Sequence, residues 1–172
     1  AYCDAPGPLE PRALPTFFAV APTPTGWDDA RVASFYREYN ASMLHNLTVH
    51  EAMPGHVLQL AHSRRCSTPS RVRNTFMSGT FVEGWAVYGE WLMAEKGFGG
   101  PRVKLQRQKM ILRLAANAIL DHGVHAGQLD EAAALALMKD EAFQEDGEAV
   151  GKWKRAQLSS AQLSTYFYGF TE

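Results

Sequence analysis

Six of the nine prolines fall within the first 24 residues: Pro6, Pro8, Pro11, Pro15, Pro22 and Pro24. Proline fixes φ and removes a backbone donor, so this stretch cannot be helical. Residues 1–26 read as an extended arm. Its one apolar run, Phe17-Phe18-Ala19-Val20, suits a short strand docked on the body. After Trp27 only Pro54, Pro69 and Pro101 remain, and apolar residues recur at three- and four-residue spacing, the helical period. Asp28 and Asp29 suit a helix start, followed by Val32, Phe35, Tyr36, Tyr39 and Met43 on one face. A second helix approaches His50 and is disturbed at Pro54-Gly55. A third runs from about Ser70 to Glu95 and stops at Gly97, Gly99 and Gly100. Pro101 opens a fourth, with Val103, Met110, Ile111, Leu114 and Ala118 buried and its end near Gly123. A fifth begins at Leu129-Asp130-Glu131, and a sixth covers Glu145 to Ser160. The expected fold is mainly α: an extended arm over 1–26 and one helical domain over 27–172.

The chain's 172 residues carry 17 basic and 18 acidic side chains, for a net charge of −1, and 46% are hydrophobic. This is a globular composition, not a disordered one. The balanced charge argues against nucleic acid as a partner, which needs a basic stripe. No apolar run approaches the roughly 18 residues of a membrane-spanning helix. The longest, Ile111 to Leu120, is broken by Arg113 and Asn117. Cys3 and Cys66 permit at most one internal disulfide, and two thiols are the expected state.

The stretch with the most chemistry is His50-Glu51-Ala52-Met53-Pro54-Gly55-His56. In the H-E-x-x-H pattern the histidines are four apart, only about 40° apart on a helix, and share one zinc. The glutamate beside the first histidine is the general base. Here the histidines are six apart, which on an unbroken helix separates them by about 240°. Pro54 and Gly55 tolerate a break, and if they bulge out His56 returns to the second ligand position.

A zinc site needs a third ligand. Phe81-Val82-Glu83-Gly84-Trp85-Ala86-Val87-Tyr88-Gly89-Glu90 offers Glu83, on a helical face with Val72, Phe76, Gly79, Thr80, Val87 and Glu90. A carboxylate facing a core is costly unless it is paired or binds a metal. Glu83 and Glu90 are nearly eclipsed, so one can ligate while the other orients a ligand histidine.

Together these blocks resemble the H-E-A-x-P-G-H-x-x-Q and F-x-E-G-W-A-x-Y-x-E signatures of the bacterial "domain of unknown function 885" proteins. The resemblance implies zincin-like active-site helices, with one zinc held by His50, His56 and Glu83 and with Glu51 as the catalytic base. Two weaker blocks extend it. Asp121-His122-Gly123-Val124-His125 is similar to a D-x-G-x-H segment. Gln162 to Gly169 is similar to P-G-Q-x-x-x-Y-x-x-G, preceded by an arginine that Arg155 matches. Ser160-Ala161 stands where the family has Pro-Gly, and Gln128-Leu129 where it has Gly-Trp. The relatives are several hundred residues long, so the chain reads as the catalytic core of a longer polypeptide.

The remaining roles follow from position. His125 and Tyr166 are candidate donors to a developing oxyanion. Asp121, four residues before His125, can hold its imidazole unless Gly123 ends the helix first. Glu90 is expected behind the ligands, and Arg155 is a candidate fork for a substrate carboxylate. His45 and His62 read as structural or solvated, and Arg64-Arg65 and Arg71–Arg73 as a solvated surface. The expectation is a zinc-dependent metallopeptidase acting on peptides or small amides, soluble and either cytoplasmic or exported. A metal-dependent amidase or esterase, and a non-catalytic helical module or incomplete fragment that keeps a metal site, are the rival readings.

Overall fold

The computed structural model describes residues 2–12, 14–66 and 70–172. The arm folds back on itself. Strand β1, Tyr2–Asp4, pairs antiparallel with β2, Phe17–Ala19, placing Tyr2 opposite Ala19, Cys3 opposite Phe18 and Asp4 opposite Phe17. The strand at Phe17 thus finds its partner within the arm. Arg64 fastens the arm to the body by donating to the carbonyls of Glu10 (3.3 Å) and Arg12 (3.0 Å). The sequence places Arg64 on a solvated surface; instead it serves arm carbonyls that have no ladder partner. The Arg71 side chain lies outside the described residues.

The rest is helical. Two helices precede Pro54, as the sequence suggests, but the apolar face from Val32 to Met43 is divided between them. Helix α1 spans Asp29–Glu38, with its N-terminal amide Arg31 N capped by Asp28, and α2 spans Ala41–Glu51. Asn40 divides them: its Nδ2 donates to the Arg37 carbonyl while its Oδ1 accepts from Ser42 N and Met43 N. Asparagine side chains compete with backbone partners in this way, which a periodicity argument does not see. Tyr36 is exposed as a result, and α1 buries Ser34 and Glu38 instead.

Helix α3 spans His56–Arg65, α4 spans Arg71–Thr75 and α5 spans Gly79–Glu95. The single helix expected from Ser70 to Glu95 is therefore broken at Phe76–Ser78. The Ser78 hydroxyl accepts from Phe81 N and caps α5 there. Val72 and Phe76 consequently leave the face that carries Glu83 and are exposed. Helix α6, Gly100–His125, starts after Gly99 in the left-handed region (φ 70) and carries Pro101 in its first turn. It runs through Gly123 rather than stopping there. A Cβ at Gly123 would lie 2.8 Å from Leu129 Cβ, so this position serves close packing of the following loop. Helix α7, Glu131–Ala136, continues into a π-helical turn at Leu137–Glu141. Helices α8, Asp146–Leu158, and α9, Thr165–Thr171, complete the chain.

The apolar core of Leu120, Ala134, Met138, Ala149, Ala156 and Leu163 lies where α6, α7, the π turn and α8 meet. On the other side α5 packs against α9, α2 and α6. A buried polar network ties α1 to α6 and α8. Glu38 accepts from Arg113 (3.1 Å) and Lys109 (3.0 Å), while Arg113 and Lys152 pair with Glu148. Among the described residues no helix is long and apolar enough to cross a membrane.

Candidate metal centre

The Pro54-Gly55 insertion is a corner between two helices. Helix α2 ends at Glu51, and the Ala52 amide still bonds back to the Thr48 carbonyl (2.9 Å). The Met53–Pro54 bond is cis. The Gly55 amide then reaches the Val49 carbonyl (3.0 Å), and α3 begins at His56. The chain passes so close to itself that a Cβ on Gly55 would lie 1.8 Å from the His50 carbonyl oxygen. Trp85 Nε1 on α5 donates to the Pro54 carbonyl (2.8 Å) and anchors the corner. The corner brings the two imidazoles within 4.8 Å, centroid to centroid, with their rings at 88°.

Glu83 of α5 joins them. Its Oε2 lies 3.4 Å from His50 Nε2 and 3.5 Å from His56 Nε2. Donor atoms about 2.1 Å from one tetrahedral ion lie about 3.4 Å from each other. The same oxygen is buried and has no hydrogen bond of acceptable geometry. Two imidazole nitrogens and a carboxylate oxygen, all within 4.8 Å of one another, could therefore hold a metal ion.

Glu90, two turns further along α5 and 2% exposed, is held behind His50. Its Oε1 accepts from His50 Nδ1 (2.7 Å) and its Oε2 from Asn46 Nδ2 (2.8 Å). In the neutral imidazole, a proton fixed on Nδ1 leaves the Nε2 lone pair facing Glu83 and His56. Burial alone would push the His50 imidazole down, but the Glu83 and Glu90 carboxylates outweigh it and raise it to about 10. Burial likewise opposes ionisation of Glu83, but the two imidazoles win and bring it down to about 2. Any metal entering here must displace the His50 proton.

Glu51 is half-buried at the end of α2, directly after His50. Burial, followed by the nearby carboxylates of Glu51 and Asp4, raises the Cys3 thiol above its usual range.

Helix α9 forms one side of the site. Glycines let it press onto α5: a Cβ on Gly84 would lie 2.3 Å from the Gly169 carbonyl oxygen, and one on Gly169 would lie 2.0 Å from that of Thr80. This brings the Tyr166 ring to 6.2 Å from that of His50, nearly parallel at 26°. Burial, then the Glu83 charge, raises the Tyr166 hydroxyl above its ordinary value, so it remains a neutral donor. Gln162 Nε2 donates to the Tyr166 oxygen (3.2 Å), and Arg155 donates to Gln162 Oε1 (2.6 Å). Arg155 thus stands behind Gln162 and Tyr166.

Asp121 and His125 share a face of α6, with Oδ1 and Nε2 3.6 Å apart. Asp121 is nevertheless occupied by the loop before α9. It accepts from Ala161 N (3.1 Å), Ser164 N (3.0 Å) and Ser164 Oγ (2.9 Å). His125 Nε2 is paired with the Ser159 carbonyl (2.7 Å). These two residues hold the loop that delivers Gln162 and Tyr166. Sequence reasoning does not identify Asn46, Trp85 or Gln162. The glutamine stands in the quoted motif, but its amide has meaning only once Tyr166 is beside it.

A solved structure from Shewanella oneidensis, described as "a putative lipoprotein of unknown function", is similar over 99% of this chain, with 44% identity and a TM-score of 0.83. The chain spans 31% of that protein's length. No curated protein matches the sequence. The family model described as "Bacterial protein of unknown function (DUF885)" matches residues 1–172, and the chain belongs to that family.

Proposed function

We propose that the chain is the core of a zinc-dependent hydrolase, with peptide bonds as its substrate class. The observation that carries this reading is the buried Glu83 Oε2, at 3.4 and 3.5 Å from two imidazole Nε2 atoms and without an aligned hydrogen bond. The three atoms converge within 4.8 Å of one another, as atoms bound to one ion do. A purely structural metal site, in turn, has no use for a carboxylate such as Glu51 next to a ligand histidine.

His50, His56 and Glu83 would hold the ion, which supplies polarisation of a carbonyl and acidification of water. The Glu51 carboxylate takes a proton from the attacking water as the new C–O bond forms. It returns that proton to the departing nitrogen as the C–N bond breaks. Tyr166 donates to the oxygen that gains charge at the carbonyl. Glu90 keeps the His50 ring oriented, while Asp121 and His125 hold the loop that carries Gln162 and Tyr166. Amide and ester substrates outside peptides use the same steps, so a substrate panel separates them.

The test is Glu51→Gln against wild type on a defined peptide mixture followed by mass spectrometry, at equal zinc content. The expected result is unchanged zinc and a loss of cleavage of about 100- to 10,000-fold. Equal cleavage by both proteins, or none by either, would refute the assignment and favour a non-catalytic module.

A further inference from the structure

A groove of about 910 Å³ lies between α3, α4 and the start of α5, away from the ligand atoms but on the same two helices. Its size is that of a ligand site, which typically spans roughly 300–1,000 Å³. Leu60, Phe76, Met77, Phe81, Val82 and Trp85 make its walls apolar. Helix α3 begins with His56, and its next turn supplies Gln59 and Leu60 to the groove. Glu83 lies between Val82 and Trp85 on α5.

Two observations specify the occupant. Gln59 is 9% exposed, and its Nε2 donates to the Phe81 carbonyl (3.3 Å) while its buried Oε1 accepts nothing. A buried amide oxygen without a donor is costly and is relieved by an incoming N–H or O–H. The rim also carries Arg65, Arg73 and His62, with no Asp or Glu among the lining residues. Neither guanidinium has an ion pair among the described residues. The site therefore calls for an apolar body, a hydrogen-bond donor and a negative charge together. A peptide ending in a bulky apolar residue has all three: the side chain, the backbone amide N–H and the terminal carboxylate. A fatty-acid anion lacks the donor.

We infer that this groove binds the apolar C-terminal end of a peptide, with Gln59 Oε1 accepting from a backbone N–H and Arg65 and Arg73 meeting the terminal carboxylate. The choice of a peptide rests on the metallopeptidase reading and extends it toward cleavage near a C-terminus. Binding in the groove needs no metal, so the test uses chelator-treated protein, where failure of the groove and failure of the metal site are separate results.

The probe is a fluorescein-labelled Gly-Gly-Leu-Phe peptide, as free acid and as C-terminal amide, followed by anisotropy. The free acid is expected to bind at least tenfold more tightly than the amide. The Arg65→Gln/Arg73→Gln double variant, changed only at exposed positions, should remove that difference. Gln59→Leu should weaken both peptides, and lauric acid should not displace the probe. The inference is overturned by absent binding, by equal binding of acid and amide, or by displacement with lauric acid, which would mark a site for apolar anions generally. If Gln59→Leu fails to fold, the exposed arginine variant decides the question alone.

Discussion

Gly55→Ala tests the corner that makes two distant histidines neighbours. The backbone at Gly55 has φ −73 and ψ −133, and the test turns on the space a Cβ would need there. The added Cβ would sit 1.8 Å from the His50 carbonyl oxygen and 2.4 Å from that of Val49. A carbon and an oxygen in contact need more than 3 Å, so the corner must open by about 1 Å or more, at the backbone. Metal ligands tolerate only about ±0.2 Å. His56 would leave the ligand set, while His50 and Glu83 remain. Overpacking of this kind costs about 1–3 kcal/mol. For a chain of this size that corresponds to a fall in Tm of roughly 2–12 °C. Gly26→Ala, where nothing lies within 4 Å of the added Cβ, is the control. Calorimetric melting of the chelator-treated protein and zinc titration give the two readouts. A Gly55→Ala protein with wild-type Tm and wild-type zinc affinity would refute the argument.

Three further outcomes are expected. Ala161 holds φ 62, where the family has glycine; left-handed backbone disfavours alanine by roughly 1–2 kcal/mol, partly offset by glycine's freer unfolded chain. Ala161→Gly should therefore raise stability by about 0.5–1 kcal/mol in urea denaturation. Glu90→Gln removes the charged acceptor that His50 and Asn46 share, so zinc affinity measured by competition with a chelator should fall about 10- to 100-fold. His50 stands at about 10 in the metal-free protein, so it carries a proton at neutral pH that zinc must expel. Calorimetric titration in buffers of differing ionisation enthalpy should detect release of about one proton from this group at pH 7. Its folded pKa is raised above the ordinary imidazole value of 6.5, so its contribution to metal-free stability is full below pH 6.5. That contribution is then lost as pH rises toward about 10.

Much of the site was legible because its residues are close in sequence or on one helix. The His50–His56 spacing demands a break, and Pro54-Gly55 supplies it. Glu83 and Glu90 fall on one face of α5, although which one faces the histidine lone pairs depends on how α2 packs against it. The helix boundaries were less legible. Asn40 and Ser78 act through side-chain caps that cut apolar patterns still continuous in the sequence. Helix α9 left no periodic signal, because its seven residues are placed by the Gly84–Gly169 approach and by Asp121 holding the preceding loop. Both are tertiary relations, as are the bonds joining Arg155, Gln162 and Tyr166. The arm's strand was legible at Phe17, but its partner at Tyr2–Asp4 was not, since three residues carry no pattern.

The central claim is that His50, His56 and Glu83 form one metal site. Zinc content by elemental analysis, on wild type and His56→Ala purified side by side with zinc supplied, tests it most directly. The expected result is about one zinc per wild-type chain and little in the variant. Wild type without zinc, or a variant that retains it fully, would contradict the assignment.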